Sequence, residues 1–363
     1  MTTRRNFLIG ALAASMVPQL SWADAGSPAY LGAAKDESGQ FALYGLSATS
    51  DIVFRVDLPG RGHAAAAHPT RPEAVAFARR PGTYALVVDC ANGQVKHSLQ
   101  APKGRHFMGH GVFMRGGDIL VTTENNYADR KGCLGLWQRS KDYARIGEVD
   151  SHGIGPHDIR MLSDGTFVIA NGGIFTHPDQ GEGRDKLNLD TMRPSLAYLT
   201  ADFTLSEQHF LFDDLHHASI RHLAVHDDGL VGFAMQWQGD PFDSVPLIGL
   251  HRRGDAAPLL MEAPLGQQMS MHAYASSIAF NGAGTELAIT SSKGGRLHRF
   301  ALDGQFVGAA ARTDLSGLAP YETGYLGSDG FGALLAFDPD ARVLNSVAGL
   351  SWDNHLVSLP RLG

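Results

Sequence analysis

Short apolar runs broken by tight-turn dipeptides recur along nearly the whole chain. EAVAFARRPGTYALVVD (73–89), HGVFMRGGDILVTTEN (110–125), HDIRMLSDGTFVIANG (157–172), HLAVHDDGLVGFAMQ (222–236) and SSIAFNGAGTELAITS (276–291) each set a turn pair between two apolar strands. The pairs are Pro81-Gly82, Gly116-Gly117, Asp164-Gly165, Asp228-Gly229 and Ala283-Gly284. Such residues supply the positive φ angles of a two-residue hairpin. Outer strands follow, among them LGLWQRS (134–140), SLAYLTAD (195–202), PLIGLHRRG (246–254) and GRLHRFALDG (295–304). Successive turns are roughly 35 to 64 residues apart, near the ~40–50 of one propeller blade.

This repeat predicts an all-β, seven-bladed β-propeller forming a single domain over 26–363. Six blades fall at about 61–104, 105–154, 155–217, 218–270, 271–312 and 313–349. The remaining blade takes its outer strands from the N-terminal YLGAAK, FALYGL and DIVFRVDL and its closing strand from the C-terminal SWDNHLVSLP. Sharing one blade between the two ends removes the open sheet edge that otherwise invites aggregation. A pair of β-sandwiches is the competing architecture, and the regular repeat weighs against it.

Composition narrows the function. The 43 glycines among 363 residues are about 12%, against a usual ~7%, as a turn-rich β protein requires. A formal charge of −7 argues against nucleic acid or an anionic membrane as partner. Only two cysteines, Cys90 and Cys133, are present; they exclude a disulfide scaffold, a C-x-x-C-H haem site and a four-cysteine metal centre, and are expected as separate buried thiols. Residues 1–25 read as a leader. Arg4-Arg5-Asn6-Phe7-Leu8 is a twin-arginine pattern, an apolar run too short to span a bilayer follows to Val17, and Ala23-Asp24-Ala25 suits a signal peptidase cutting after Ala25. Export to the periplasm is expected, with no membrane anchor in the mature form.

The 17 histidines carry the chemistry. Innermost propeller strands all run the same way along the central channel, so residues at equal offsets from their turns meet at one mouth. His110 and His222 each stand six residues before their turns; His157 stands seven before Asp164, one out of step. His63, His68 and His272 precede inner strands, His106 lies just upstream of His110, and His355 sits on the closing strand. Glu124, Tyr127, Asn171 and Gln236 return to the same face. Neutral imidazoles from separate strands suit Fe(II), Cu(II) or Zn(II). The expected metal ligands are His63, His106, His110, His157, His222 and His355, supported by Glu124, Tyr127 and Gln236. Arg105 and Arg221 are candidates for holding an anion or substrate bidentately. Asp158 adjoins His157 but alternation along a strand turns it to the opposite face. His226, His251, His298, His177 and His216-His217 are expected at the surface, while Met108, Met114 and Met235 read as core.

The blocks RGHAAAAHP (61–69), RHFMGHGVFMRGGDILVTTENNY (105–127), GIGPHDIRMLSDG (153–165), IRHLAVHDDG (220–229), QWQGD (236–240) and SWDNH (351–355) resemble a bacterial exported family catalogued as domain of unknown function 1513. The resemblance covers nearly the whole mature chain. It implies a seven-bladed propeller with a twin-arginine signal, and a gene neighbourhood of imelysin-type and di-haem proteins, hence a role in periplasmic iron acquisition with iron-uptake proteins as partners. It emphasises His63, His106, His110, Tyr127, His157, Arg221, His222, Gln236 and His355. One departure is Asp158, where the family pattern leads one to expect glutamate.

Two functions follow from this reading. The first is a periplasmic metal-binding protein with a histidine-lined channel mouth; iron comes from the resemblance, and copper or zinc from ligand chemistry. The second is a metal-dependent periplasmic enzyme, an oxidoreductase or hydrolase, acting at the same mouth. A metal-free interaction platform is the bland alternative. No H-E-x-x-H, G-x-S-x-G or phosphate-binding glycine loop selects a reaction.

Overall fold

A computed structural model describes residues 20–79, 82 and 84–359. The twin-arginine pair, the apolar run of the leader and Pro81 lie outside the described residues. Seven four-stranded antiparallel sheets make up the molecule. The shared blade carries β1(Tyr30–Lys35), β2(Phe41–Leu46) and β3(Ile52–Leu58) outside the C-terminal β28(Ser351–Ser358). The second holds β4(Gly62–Ala67), β5(Glu73–Ala78), β6(Ala85–Asp89) and β7(Gln94–Leu99). The third holds β8(Arg105–Phe113), β9(Ile119–Asn126), β10(Lys131–Gln138) and β11(Ala144–Asp150). The fourth holds β12(Pro156–Met161), β13(Phe167–Asn171), β14(Ser195–Leu199) and β15(Leu205–Phe210). The fifth holds β16(Ala218–Val225), β17(Leu230–Trp237), β18(Ile248–Arg252) and β19(Leu259–Met261). The sixth and seventh are β20(Ser277–Phe280) with β21(Glu286–Ser291), β22(Arg296–Ala301) and β23(Phe306–Ala311), then β24(Leu315–Tyr321) with β25(Gly324–Asp329), β26(Ala333–Phe337) and β27(Ala341–Ser346). A short helix, α1(Leu265–Ser270), leads into the sixth blade.

The innermost strands β28, β4, β8, β12, β16, β20 and β24 contact one another in that order and close the ring. Closure is made by β28 pairing antiparallel with β1, with Tyr30 opposite Ser358 and Lys35 opposite Ser351. The seven-bladed propeller with a blade shared between the chain ends is thus the observed fold.

Successive residues of the middle strands are buried, because each blade packs both faces on its neighbours. Leu31, Leu43 and Val56 of the shared blade meet Ala74, Ala76, Leu86 and Val88 of the second. Val75, Phe77 and Val87 on the other face of that blade meet Phe107, Leu120 and Trp137 of the third. This two-sided packing buries outer-strand residues too. His251 and His298, expected at the surface, are 1% and 0% exposed: His251 is hydrogen-bonded to the Tyr198 hydroxyl at 2.8 Å, and His298 packs edge-on to Phe306.

One blade differs from the sequence reading. The pair 73–89 is not its inner hairpin but its second and third strands, β5 and β6; the innermost strand is β4. GHAAAA carries no β-branched residue and no turn dipeptide follows it, so nothing in its composition announces a strand. At its end His68 serves the turn, its Nδ1 accepting from the Thr70 and Arg71 amides. Before β1, Trp22–Ala25 forms a 3₁₀ turn. Trp22 is buried and its indole N–H donates to the His68 carbonyl at 2.9 Å, so processing after Ala25 would take a packed side chain with it. No helix among the described residues is long and apolar enough to cross a membrane.

Candidate metal centre on the propeller axis

Five of the seven innermost strands send a histidine to the axis: His63 from β4, His110 from β8, His157 from β12, His222 from β16 and His355 from β28. All five are buried. Taken round the ring in chain order, successive ring centroids are 5.0, 5.1, 4.9, 4.6 and 4.6 Å apart. The two strands without a histidine contribute Ser277, Ile278 and Leu318 to the wall of the channel.

Backbone irregularity, not simple alternation, aims these rings. The ladder of β4 on β5 skips between Gly62 and Ala65, leaving His63 in the bulge; that of β8 on β9 skips between Phe107 and Gly111, around His110. Pairing of β12 skips between Pro156 and Asp158, and of β16 between Ile220 and His222. The β1–β28 pairing shifts between Trp352 and Leu356, next to His355. A bulge bends the strand and redirects a side chain, which is why such features gather beside functional sites. It also explains the residue out of step: in β12 the bulge position is His157, whereas in β16 it is Arg221, one residue before His222. Gly109 makes the β8 bulge possible. Its φ is +98°, and a Cβ there would lie 2.5 Å from the His63 ring.

Burial favours the neutral form of four of these rings. Burial, reinforced by neighbouring histidines and arginines, holds His63, His157, His222 and His355 well below the usual imidazole range. Asp158 is the nearby carboxylate. Burial alone would raise its pKa, but Arg160 and His110 hold it below the ordinary carboxylate value. Its Oδ1 lies 3.2 Å from His110 Nδ1, its Oδ2 accepts the Leu223 amide at 3.0 Å, and Arg160 pairs with it at 3.2 Å. Asp158 therefore orients the imidazole of the neighbouring blade, not that of His157 beside it. A carboxylate on one ring nitrogen fixes the tautomer and leaves the other nitrogen basic. That other nitrogen, His110 Nε2, has no hydrogen bond; neither do His63 Nδ1, His222 Nδ1 and His355 Nε2. Four buried acceptor-capable nitrogens left unsatisfied would cost about 1–3 kcal/mol each. Donor atoms of His63, His110 and His157, and of His110, His222 and His355, lie within 4.8 Å of one another. Such donor sets suit a divalent transition metal, which would satisfy the free nitrogens.

Two small cavities flank the ring along the axis. One, of about 30 Å³, lies toward the C-terminal ends of the inner strands, beside His110, His222 and His355. The other, of about 50 Å³, lies beside His63, His157 and His222 and is also lined by Arg79, Arg221, Gln236, Tyr274 and Asn354. Each exceeds the ~10–15 Å³ a water needs. A larger hollow of about 750 Å³ opens at the far mouth, lined by Trp22, Tyr30, His226, Phe280 and Pro320 and by none of the axial histidines.

Other expected site residues fall elsewhere. His106 leaves the axis: its Nε2 meets the Asn125 amide at 3.0 Å, and it lines a side pocket with Tyr127 and Arg105. The Tyr127 hydroxyl accepts from the Gly104 amide. Arg105 does not face the histidines, because both arms of its guanidinium are taken by Glu148, at 3.1 and 2.7 Å, and by Asn126. Glu124 is buried inside its blade, chelated by Arg145 at 2.7 and 2.9 Å. Gln236 and Arg221 do reach the mouth, Arg221 with an Nη 3.5 Å from His157 Nδ1. Sequence reasoning missed Arg79, Asp158 and Arg160. It also missed a second cluster, Glu207 and His209 on β15 with His251 on β18; a contact between two blades has no local signature. Cys90 and Cys133 are free and buried, and burial raises both thiols, Cys133 to about 12.

Comparison with known proteins places the fold in a wide group. Kuenenia stuttgartiensis hydrazine synthase superposes with a TM-score of 0.58 at 11% identity, covering 89% of this chain and 96% of that one. A functionally unknown protein from Desulfotomaculum acetoxidans superposes with a TM-score of 0.59 at 10% identity, covering 91% and 98%. At such identities the likeness is one of fold alone. No curated protein matches the sequence. A family model described as a protein of unknown function, DUF1513, matches residues 56–359.

Proposed function

The chain belongs to the DUF1513 family of proteins of unknown function, and from that premise and the axial ring we propose that it is a periplasmic metal-binding protein serving iron acquisition. The metal would be held among His63, His110, His157, His222 and His355. One observation carries the reading: buried imidazole nitrogens with no hydrogen bond converge from separate blades. Preference for iron rests on the family resemblance, since imidazole donors alone favour copper. Loading before export through the twin-arginine route would shield the site from that competition. A metal-dependent enzyme at the same place is the second reading, favoured by the cavity that Arg79 and Arg221 line beside the rings.

Elemental analysis of the intact protein exposed separately to Fe(II), Zn(II) and Cu(II) tests the first reading. One tightly held ion per chain is expected, lost in the His110→Ala/His222→Ala double variant. Absence of stoichiometric metal in the unaltered protein, or equal metal content in the variant, contradicts it.

A further inference from the structure

Away from the axis, where the fourth blade meets the fifth, three metal-ligating side chains converge without any of the axial histidines. Glu207 and His209 stand two apart on β15, a spacing that sends both to the same face of the strand. His251 of β18 reaches the same point from the next blade. Donor atoms of the three lie within 4.8 Å of one another. A single carboxylate oxygen, Glu207 Oε1, meets His209 Nε2 directly and stands 3.7 Å from His251 Nε2. The two imidazoles are 4.1 Å apart by ring centroid. Among the described residues Glu207 forms no ion pair with a lysine or arginine; the Gly254 amide donates to its two oxygens at 3.2 and 3.0 Å. Arg253, close by in sequence, turns instead to Asp164 at 2.7 Å.

His251 is held as a ligand would be. It is buried, and burial with His209 alongside keeps its pKa below the ordinary imidazole value. Its Nδ1 lies 2.8 Å from the hydroxyl of Tyr198, which stands opposite Glu207 in the β14–β15 ladder. A hydroxyl either donates or accepts, so Tyr198 supports the tautomer that leaves a lone pair on Nε2. The long contact of Nε2 to the Asp255 carbonyl, 3.3 Å, is then given up. A hydrogen bond on the far ring nitrogen is what fixes a ligating histidine. The side chains of His209 and Glu207 are 16% and 20% exposed, so ions reach the cluster and water can fill a fourth position. Two imidazoles and a carboxylate with one open position are a donor set for Zn(II). We propose that Glu207, His209 and His251 form a second, exchangeable site for a divalent transition metal, joining the fourth blade to the fifth. The ion must part His209 from Glu207 and has only three protein ligands. It is therefore held less tightly than the axial ion, and gel filtration strips it while leaving the axial ion in place.

Equilibrium dialysis of the full chain against excess Zn(II), compared with the metal left after gel filtration, tests this. The exchangeable zinc is read as a difference between proteins, because other surface imidazoles also bind the ion weakly. The unaltered protein is expected to hold one exchangeable ion that His209→Ala loses. Glu207→Gln, which keeps the shape of the side chain, should lose it as well. His272→Asn, at an exposed turn, is the control and should keep it. Tyr198→Phe removes only the hydroxyl behind His251 and should weaken the exchangeable ion roughly 10- to 100-fold, with the circular dichroism spectrum unchanged. Equal exchangeable zinc in the unaltered protein and in His209→Ala overturns the site, as does an equal loss in His272→Asn. Absence of a tightly held ion beside a His209-dependent exchangeable one contradicts the axial centre and upholds this site.

Discussion

At the scale of the residue, the decisive group is Asp158. Its carboxylate links three inner strands by touching His110 on β8, Leu223 on β16 and, through its own backbone, β12. Asp158→Asn preserves the shape but gives up the charge that holds His110 in one tautomer. Metal affinity is expected to fall roughly 10- to 100-fold, as for other partners that orient a ligating histidine, with the circular dichroism spectrum unchanged. Protonation gives a second expectation. His63, His157, His222 and His355 have folded-state pKa values below their unfolded value of 6.5. The unfolded chain therefore binds more protons in acid, and stability of the apo protein is full above about pH 6.5 and is lost as pH falls below it. The loss approaches about 1.4 kcal/mol per pH unit for each histidine concerned. Denaturant midpoints measured between neutral pH and mild acid should decline accordingly; a flat profile would mean the rings are not held neutral. His110 and His222 were legible in the sequence because both keep the same offset from a turn. Arg105 and Glu124 were not, since strand alternation cannot say which ion pair a charged side chain will prefer.

At the scale of the element, the bulges matter most. A regular ladder would send alternate residues of an inner strand to opposite faces, and His157 and Asp158 could not both serve the axis. With the skip between Pro156 and Asp158 they do. Bulges leave little trace in a sequence apart from a glycine, and β8 offers one at Gly109. Gly109→Ala combines a positive φ with a Cβ 2.5 Å from the His63 ring, so it is expected to destabilise the protein by about 1–3 kcal/mol and to weaken metal binding by displacing His63. Thermal melts with and without Zn(II) separate the two effects: the variant should lose most of the metal-induced rise in Tm. The misassigned inner strand of the second blade has the same origin. GHAAAA becomes a strand because β5 and β8 flank it, a tertiary cause that propensity does not register.

At the scale of the molecule, circular closure assembles the site. The repeat, the count of seven blades and the sharing of one blade by both ends were all readable, because turn spacing and apolar runs determine them. The result places His63 and His355, near opposite ends of the chain, 4.6 Å apart by ring centroid. The fold and the candidate site are therefore coupled through β28. Substituting Trp352, which packs edge-on to Tyr44 at 5.4 Å and is buried, by alanine should cost about 3–5 kcal/mol and loosen closure, lowering metal retention on dialysis as well as Tm.

X-ray absorption of the Zn(II)-loaded protein addresses the ring most directly, since it reads the atoms bound to the ion. Three or more imidazole nitrogens near ~2.0–2.1 Å, with no bound-ion signal left when His110 and His222 are both replaced by alanine, is the expected result. A shell of oxygen atoms without imidazole scattering would contradict a metal centre on the axis.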